Sequence, residues 1–359
     1  MRQAVITFDM GLIRILALIA AIVPIVSCEN SDVRHQSITV DGNETVLKVR
    51  HASPQILTSA SKAIQKILQA QRDQSHAWKP SELSKTNLAL ASGKAAQISE
   101  INLHLLEISR PLYEASDGYY DPSIGSLVKL WGFYTDKFPI SREPPNDLQI
   151  SEWLLHKPNF RGLVVKNKTL PASNPNIQLD FTAILEGVAA NDIRRVAGAL
   201  NVQDALVTMG SDQFTIGTEN SRPWTVMLKD PFGGDLGQID LRGNEALFSS
   251  GNFDKFRMAP TGSRWGHILN PRTGKPSQGS AAVLVLHEDA VLADAASSAL
   301  MAGGPGNFKQ LVMRMKLACA MMVTEENELL ITTQMKKRVV FFRDPLPLGA
   351  PIANGEHCH

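Results

Sequence analysis

The spacing of apolar positions changes along the chain between the period of a strand and the period of a helix. Residues 37–50 alternate apolar and polar side chains, which is typical of a half-buried strand. Residues 58–71 place Ala60, Ile64 and Leu68 on one side of a helix. The same patterns predict helices over 98–115, 183–200, 291–301 and 306–314, and strands over 163–165, 205–209, 214–216, 224–228, 246–249 and 281–286, with two short strands closing the chain.

The segments between these elements are predicted from their turn-forming residues. Residues 75–87 form a polar run that predicts a loop, and residues 135–158 are rich in proline and charge, which predicts an irregular connection with one short helix. Strands and helices interleave without a regular β-α-β rhythm. The pattern therefore predicts a mixed α+β fold with packed helices on mixed sheets.

The first residues have a different character from the rest of the chain. Arg14 precedes a short apolar run over residues 15–26, which is too short to span a membrane comfortably. A basic start, a short apolar core and the small residue Ser27 describe a secretory signal. The ending resembles a bacterial lipobox, so we expect residues 1–28 to be a signal peptide and Cys28 to carry a lipid. A plain cleaved signal with an incidental cysteine is the alternative.

Composition excludes several other classes of protein. The net charge is +1 and charged residues make up 20%, so no basic field indicates nucleic acid or an anionic membrane surface. Cys28, Cys319 and Cys358 give neither a disulfide framework nor a metal-binding spacing. Cys319 lies in an apolar stretch and is predicted to be a small buried side chain.

A histidine stands at the mouth of a turn in the second half of the chain. His267 is followed by the turn-forming pairs Asn270-Pro271 and Thr273-Gly274. An imidazole titrates near neutral pH, so it suits a general base. Taken alone, His267 is more typical of a surface histidine or of one that is hydrogen-bonded within the turn than of a base.

Asp294 and Ser298 lie four residues apart in a segment of small, helix-compatible residues. On a helix this spacing places the carboxylate and the hydroxyl on one face. Such oxygens can bind a hard cation such as magnesium, which completes its shell with phosphate and water. The alternative is that Asp294 only interacts with the dipole at the start of its helix.

Seven separated motifs, taken in order from about residue 75 to residue 302, resemble those of the ApbE family of flavin transferases. Enzymes of this family attach FMN from FAD to a threonine or serine of a partner protein. The motifs are Ser81-Glu82-Leu83-Ser84 with Asn87, Asp117-Gly118 with Asp121-Pro122 and Leu130-Trp131-Gly132-Phe133, Asp180 through Gly187, Gly210-Ser211-Asp212, Ser250-Gly251-Asn252-Phe253, His267-Ile268 with Pro271, Thr273 and Gly274, and Asp294-Ala295 with Ser298.

The chain departs from the family pattern at several positions within these motifs. Glu186 stands where a lysine is usual, and Ser211 stands where a glycine is usual. Asn252 replaces an acid, and Phe253 replaces a tyrosine. Ser298 replaces a threonine, which keeps the hydroxyl. The early Met-Gly-Thr of the family is not found around residues 41–47.

The resemblance implies a T-fold-like architecture with one catalytic unit over residues 29–359, and it implies a role for each candidate. His267 would take the proton from the attacking hydroxyl. Asp294 and Ser298 would bind magnesium together with a main-chain carbonyl near Ala183. Asp180 either contributes to the same site or only caps its helix.

FAD needs a pocket for two ring systems and a diphosphate. Gly210 and Gly251 permit close approach of the backbone, although either alone is also typical of a simple turn. Asp212 either bonds the cofactor or closes its turn, and Tyr120 could stack on a ring. The FAD contacts implied by the resemblance are Ser81, Glu82, Asn87, Tyr120, Glu186, Gly210, Ser211, Asp212, Gly251, Asn252, Phe253 and Thr273.

The implied function is a magnesium-dependent transfer of FMN from FAD to a hydroxyl of an exported partner, with release of AMP. The resemblance makes that partner an FMN-binding domain of a membrane redox complex. The expected location is the periplasmic side of a bacterial membrane, with a lipid anchor at Cys28. Two alternatives are a flavin-binding lipoprotein without turnover and a metal-dependent pyrophosphatase that cleaves FAD to FMN and AMP.

Overall fold

The computed structural model describes residues 33–342 except 219, 254, 260 and 261, together with residues 352–355, 357 and 358. The described elements lie within one unit, residues 32–359. The predicted signal segment and Cys28 lie outside the described residues. Within the described part, no helix is both long and apolar enough to cross a membrane.

Helices and strands interleave along the chain. The helices are α1 (Pro54–Ser75), α2 (Glu82–Ala91), α3 (Glu100–Ala115), α4 (Gly125–Leu130), α5 (Asp147–Leu155), α6 (Thr182–Ala199), α7 (Ala290–Gly303), α8 (Phe308–Arg314) and α9 (Thr333–Arg338). The strands are β1 (Val33–Val40), β2 (Asn43–Arg50), β3 (Ala96–Gln97), β4 (Thr169–Leu170), β5 (Ala205–Met209), β6 (Asp212–Ile216), β7 (Trp224–Lys229), β8 (Asp235–Leu241), β9 (Ala246–Gly251), β10 (Phe256–Met258), β11 (Arg264–Gly266), β12 (Leu269–Asn270), β13 (Lys275–Pro276), β14 (Ser280–His287), β15 (Ala320–Thr324), β16 (Leu329–Ile331) and β17 (Val339–Phe341).

An antiparallel sheet of eight strands forms the centre of the fold, in the order β1-β2-β5-β6-β9-β14-β15-β16. A second antiparallel sheet has the order β17-β8-β7. The hairpins β10-β11 and β12-β13 and the antiparallel pair β3-β4, whose strands are far apart in the sequence, complete the described sheets. The α+β fold class predicted from the sequence is confirmed.

The alternation of side chains along the central strands divides the core into two layers. On β14, Val283 and Val285 belong to the cluster that also contains the buried faces of α6 and α7. Leu284 and Leu286 point the other way, into a cluster shared with the three-stranded sheet. Because successive side chains of a strand face opposite sides, one apolar strand supplies both layers.

Helix α7 packs closely against α6 because the residues at the contact are small. A Cβ atom built on Gly187 of α6 would lie 2.5 Å from the main-chain oxygen of Ala290 at the start of α7. Ala293 and Ala296 of α7 are fully buried. This close approach brings the two helices together at the point where both carry candidate site residues.

A third, smaller apolar cluster supports the hairpins that follow β9. It contains six buried side chains, Leu127, Trp131, Phe133, Ile150, Trp153 and Leu269. Arg257 of β10 is buried beside it and donates to the main-chain oxygens of Trp131, Arg142 and Glu143. The predicted irregular connection over 135–158 with one short helix is confirmed, and its helix is α5.

Two element predictions near the start of the chain are wrong. Residues 37–50 belong to a hairpin of two strands, β1 and β2, and not to one strand. Asp41 and Gly42 form its turn with φ of 51° and 83°, the conformation that an Asp-Gly pair favours in tight hairpins. Residues 82–91 form helix α2 and not a loop. Ser81 and Ser84 start it with a reciprocal capping box, so the polar run marks a helix N-terminus.

Two further predictions need correction. Residues 163–165 do not form a strand, because Leu163 closes a turn onto the main-chain oxygen of Phe160 while Val164 is exposed. Cys319 is buried as expected, but it is bonded to Cys358 with a Cα–Cα distance of 5.1 Å. The pairing has no local signal in the sequence, because the two cysteines are 39 positions apart and meet only through the fold.

Candidate active site

Asp294 lies on the face of α7 that contacts α6. Its Oδ2 accepts a hydrogen bond of 2.9 Å from the main-chain N–H of Gly187, and its side chain is almost fully buried. Burial, with the nearby charge of Glu186, raises the pKa of Asp294 well above its usual value. A buried carboxylate is costly unless a proton or a cation accompanies it. The position therefore favours one of the two.

Two more acidic side chains lie beside Asp294. Asp212, at the start of β6, is buried and accepts a 2.7 Å bond from the N–H of Ser249. Burial raises the pKa of Asp212, and so does the hydrogen bond that it shares with Glu186 of α6. Within the part of the chain that the structure describes, no ion pair includes Glu186, Asp212 or Asp294. The cluster is thus negative and without a basic partner there.

Hydroxyl groups continue the cluster along α7. The Oγ of Ser250 on β9 lies 3.3 Å from the Oγ of Ser298 and 2.8 Å from the Oγ of Ser297. Ser298 is one helical turn beyond Asp294, so their oxygens share a face. Ala183 is one turn before Gly187. In a regular helix its carbonyl pairs with the same N–H that Asp294 contacts, which places this carbonyl near Asp294.

The donor chemistry fits a hard cation that uses only part of its shell for protein. Asp294, Ser298 and the carbonyl of Ala183 all offer oxygen, the donor that magnesium prefers. Among the described residues, no group of three or more His, Cys, Asp or Glu side chains is placed to hold a metal ion. A cation here therefore depends on hydroxyl, main-chain and ligand oxygens as well as on a carboxylate.

His267 follows β11, and one main-chain oxygen fixes its ring. The N–H of His267 donates to the Lys255 carbonyl at 3.1 Å, and Nδ1 lies 3.2 Å from the same oxygen. A carbonyl only accepts, so Nδ1 carries the proton and Nε2 keeps its lone pair. Burial, with the charge of Lys255, lowers the pKa of His267 to about 4. The ring is therefore neutral at pH 7, with Nε2 able to accept a proton.

The end of β9 contacts both the acidic cluster and the segment after β11 that carries His267. Ser250 contacts Ser298, while Asn252, two residues later, packs against Gly266 immediately before His267. Phe253 is partly exposed and its ring lies over Gly251, where a Cβ would approach it to 2.3 Å. A side chain at position 251 would collide with the ring of Phe253, so this position requires glycine.

The hairpin between β5 and β6 ends next to the same cluster. Gly210 and Ser211 are the two exposed residues of its turn, and Met209 pairs with Asp212 across it. Gly210 has φ of 57°, which suits a glycine at the first position of a two-residue turn. The turn holds Asp212 beside Glu186.

The remaining predicted cofactor contacts have structural partners. Ser81 caps α2, Glu82 pairs with Lys85 at 2.6 Å, and the hydroxyl of exposed Thr273 accepts from the N–H of Lys275 at 3.3 Å. The structure does not bring these three into contact with the acidic cluster.

Asn87 and Tyr120 are buried behind the site. The amide of Asn87 donates to the main-chain oxygen of Leu179 at 2.8 Å and accepts from its N–H at 2.7 Å. This pair fixes the chain just before α6. The hydroxyl of Tyr120 bonds Ser109 at 2.7 Å and its ring is 3% exposed, so the structure leaves it no open face for stacking. Asp180 accepts from the N–H of Thr182 at 3.0 Å in a turn that leads into α6, but Phe181 is the N-cap residue of this helix and receives no side-chain cap, so Asp180 is not the cap that the alternative expected.

Some residues of the site were not identified from the sequence. Lys255 acts through its carbonyl, and a main-chain oxygen leaves no trace in the residue type. Ser250 belongs to the motif Ser250-Gly251-Asn252-Phe253, but it was given no role, because its contact with Ser298 depends on how α7 packs on β9. Gly187 is explained only by the close approach of α6 and α7.

The fold and the site define an α+β protein in which the end of β9 contacts an oxygen-rich cluster and the segment that carries a neutral histidine. A sequence model described as the ApbE family matches residues 37–322. The chain belongs to the ApbE family, and the resemblance stated from the sequence is confirmed.

Relatives and solved structures agree with this assignment. A "FAD:protein FMN transferase" of Rhodobacter capsulatus is 32% identical over 278 residues, which cover 77% of this chain and 52% of that protein. The match thus spans about half of that relative's length. A protein of the same name from Escherichia coli K12 is 28% identical over 246 residues, covering 64% of this chain and 67% of that one. The ApbE protein of Thermotoga maritima is 25% identical with a TM-score of 0.75, covering 87% of this chain and all of that one.

Proposed function

We propose that this chain transfers FMN from FAD to a threonine or serine hydroxyl of an exported partner protein and releases AMP. The names of the relatives from Rhodobacter capsulatus and Escherichia coli support the reaction class. The observation that carries the proposal is the state of His267. The Lys255 carbonyl holds the proton on Nδ1, so the neutral ring presents Nε2 as a base.

The reaction needs one proton transfer and one substitution at phosphorus. Nε2 of His267 takes the proton from the partner's hydroxyl as its oxygen attacks the FMN-side phosphorus of FAD. A new P–O bond forms, the P–O bond to the bridging oxygen breaks, and AMP leaves with that oxygen. Phosphoryl transfer of this kind depends mainly on positioning and on neutralisation of charge.

Asp294, Ser298 and the main-chain oxygen of Ala183 would hold magnesium. When bound, the ion neutralises charge on the phosphate oxygens. The absence of a basic partner for the acidic cluster within the described residues supports this assignment. Glu186 and Asp212 add two acidic groups next to the same position, and a cation bound there would favour their ionised forms.

The FAD contacts belong to the same proposal. The exposed turn of Gly210 and Ser211, the side chain of Asp212 and the β9 end at Gly251 border the cluster. Phe253 is partly exposed next to them and offers an apolar face. Five other predicted FAD contacts rest on the motif resemblance alone: Ser81, Glu82, Asn87, Tyr120 and Thr273.

Export and membrane anchoring complete the proposal. Cys28 would carry the lipid, and the partner would be an exported FMN-binding domain of a membrane redox complex. The bond between Cys319 and Cys358 supports an oxidising compartment such as the periplasm, because cytosolic thiols are kept reduced.

The proposal is tested with purified protein, FAD, magnesium and an FMN-binding domain that bears a target threonine. Mass spectrometry should find one FMN on that threonine. His267→Ala and Asp294→Ala should abolish the addition. His104→Ala, an exposed histidine of α3, is the matched control and should keep it. Free FMN and AMP without attachment would favour a pyrophosphatase or a mismatched partner, and FAD that is bound but unchanged would identify a flavin-binding protein.

A further inference from the structure

The first residue after β9 packs against the chain on both sides of His267. We propose that Asn252 is a positioning residue that holds the His267 imidazole in place through Gly266 and Ser277. This inference rests on the proposed role of His267 as the base. It gives Asn252 a task that differs from direct contact with FAD.

The first contact is steric and involves Gly266. A Cβ atom built on Gly266 would lie 1.9 Å from Oδ1 and 2.0 Å from Cγ of Asn252. The Asn252 carboxamide therefore occupies the space that any side chain at position 266 would need. Gly266 is buried and directly precedes His267, so the carboxamide limits how far the peptide before His267 can move.

The second contact is a chain of hydrogen bonds that ends after His267. Nδ2 of Asn252 donates to Oγ of Ser277 at 3.1 Å. The N–H of Ser277, a buried residue, donates to the main-chain oxygen of Ile268 at 2.9 Å. One side chain thus supports the residue before His267 directly and the residue after it through Ser277.

Asn252 can support its neighbours because it is itself fixed to the central sheet. Its N–H donates to the main-chain oxygen of Ala281 at 3.3 Å, and Gly251 pairs with Ala282 of β14. The main-chain oxygen of Asn252 accepts a 2.8 Å bond from Arg264. A catalytic side chain on a hairpin gains precision when a rigid element supports it.

The Oδ1 atom of Asn252 indicates that this side chain does more than fill space in the packing. It is buried and has no hydrogen-bond partner among the described residues. An unsatisfied buried acceptor is unfavourable and usually has a functional reason. An apolar residue of similar size would fill the space without that penalty, but it could not donate to Ser277.

Kinetics distinguish positioning from cofactor binding. Asn252→Ala should lower kcat for FMN transfer roughly 10- to 100-fold, the usual effect of a misplaced catalytic group, with the Kd for FAD changed less than about twofold. Gly266→Ala should have a similar effect, because its methyl group displaces the carboxamide. A weaker Kd for FAD with an unchanged kcat would overturn the inference, and so would a normal kcat in both variants.

A double variant tests whether Asn252 and Gly266 act through the contact between them. The three atoms closest to a Cβ at position 266 all belong to the carboxamide of Asn252, which alanine lacks. Asn252→Ala with Gly266→Ala should therefore be more active than the product of the two single effects predicts. Strictly multiplicative losses would show that the residues act separately and would contradict the proposal.

A measurement without substrate keeps the inference separate from the proposed function. Nitrogen-15 NMR of the histidine rings, with His267 assigned from a His267→Gln sample, should show the Nδ1–H tautomer in the wild type. In the Asn252→Ala variant, the nitrogen-15 signals of His267 should be an average of the two tautomers. An unchanged His267 signal would reject the positioning role even if transfer is lost. If the wild type transfers no FMN while the NMR effect is present, the proposed function fails and the positioning role stands.

A second variant covers the case in which Asn252→Ala does not fold. Ser277→Ala removes one hydrogen bond and leaves the packing against Gly266 intact. It should lower kcat in the same direction by a smaller factor and broaden the same NMR signal. No change in either measurement would contradict the proposed chain of contacts.

Discussion

At the residue scale, the buried carboxyl groups of Asp212 and Asp294 account for much of the electrostatic free energy that burial costs the folded protein. Burial is the main reason why the pKa values of Asp212 and Asp294 are raised, and the proximity of Glu186 adds to it. Each carboxyl accepts a main-chain N–H bond, which recovers part of the lost hydration. If the proposed cation binds here, the same burial that destabilises the metal-free protein would favour the cation.

Asp294→Asn should separate stability from metal binding. Asparagine can still accept the Gly187 bond, but it carries no charge. Because burial raises the pKa of Asp294 in the folded state, the cost of burying its charge appears as pH rises above the usual aspartate value, and the asparagine removes that cost. The variant should gain about 1–2 kcal/mol of stability in EDTA and lose magnesium binding. Urea denaturation and isothermal titration calorimetry measure the two effects.

Asp289 provides the matched control on the same helix. Its carboxylate caps α7 by accepting from Val291 and Leu292. Asp289→Asn should therefore be neutral or slightly destabilising in EDTA while magnesium binding persists. A metal-free Asp294→Asn protein that is less stable than the wild type would contradict the electrostatic account.

His267 should titrate well below an ordinary histidine. Its pKa is lowered to about 4, first by burial and then by the charge of Lys255. The lowered pKa contributes stability that is present above about pH 6.5, the value of an unfolded histidine, and is lost as pH falls through 4. Lys255→Gln should move the titration upward, as measured by NMR of the ring. A midpoint near 6.5 in the wild type would show that the ring is not buried.

At this scale the sequence provides candidates for the chemistry but not their supports. His267, Asp294 and Ser298 are candidates because their residue types and spacing match a motif. The carbonyl of Lys255 and the contact of Asn252 with Gly266 were not found, because hairpin geometry decides them and not residue type. Tyr120 matched a motif as well, yet the fold buries its ring.

At the scale of elements, strong periodicity was the reliable signal. The positions of α6 and α7 were predicted to within one or two residues, because both helices have long runs of helix-forming residues. Helix α2 was missed because its capping serines resemble a loop, and the β1-β2 hairpin was missed although Asp41-Gly42 is a turn signal. Packing of α7 on α6 depends on small residues whose partners are far away in the sequence.

Two glycines of α6 should respond oppositely to the same change. A methyl group on Gly187 would lie 2.5 Å from the main-chain oxygen of Ala290, while Gly198 has nothing within 4 Å. Gly187→Ala should cost about 1–3 kcal/mol and weaken magnesium binding, because it pushes α7 and Asp294 away. Gly198→Ala should be neutral or gain up to about 1 kcal/mol from helix propensity. Urea denaturation of both variants measures the difference, and equal effects would contradict the packing argument.

At the scale of the whole molecule, the described residues form layers with distinct tasks. Helices α6 and α7 cover one face of the central sheet and, together with Asp212 of β6, carry the acidic cluster. The three-stranded sheet covers the other face, and its apolar core includes Cys319 and Cys358. The C-terminal segment contacts both layers, because the main chain of Ile352 accepts from Thr333 and donates to Ile331 of the second core while its side chain packs against the first core. Since Cys319 and Cys358 lie in the second core and Asp294 lies on α7, we expect the stability of the second core and the chemistry of the first to be separable.

Removal of the disulfide should test this separation. The bond joins cysteines 39 positions apart, so its loss should cost about 2–4 kcal/mol, because it constrains the unfolded chain. Cys319→Ser with Cys358→Ser should lower stability in urea, and dithiothreitol should do the same to the wild type. Magnesium binding measured well below the melting temperature should stay unchanged, because Asp294 lies in the other layer. Free thiols in protein purified from the periplasm would contradict the pairing, and loss of magnesium binding in the folded variant would show that the two layers are coupled.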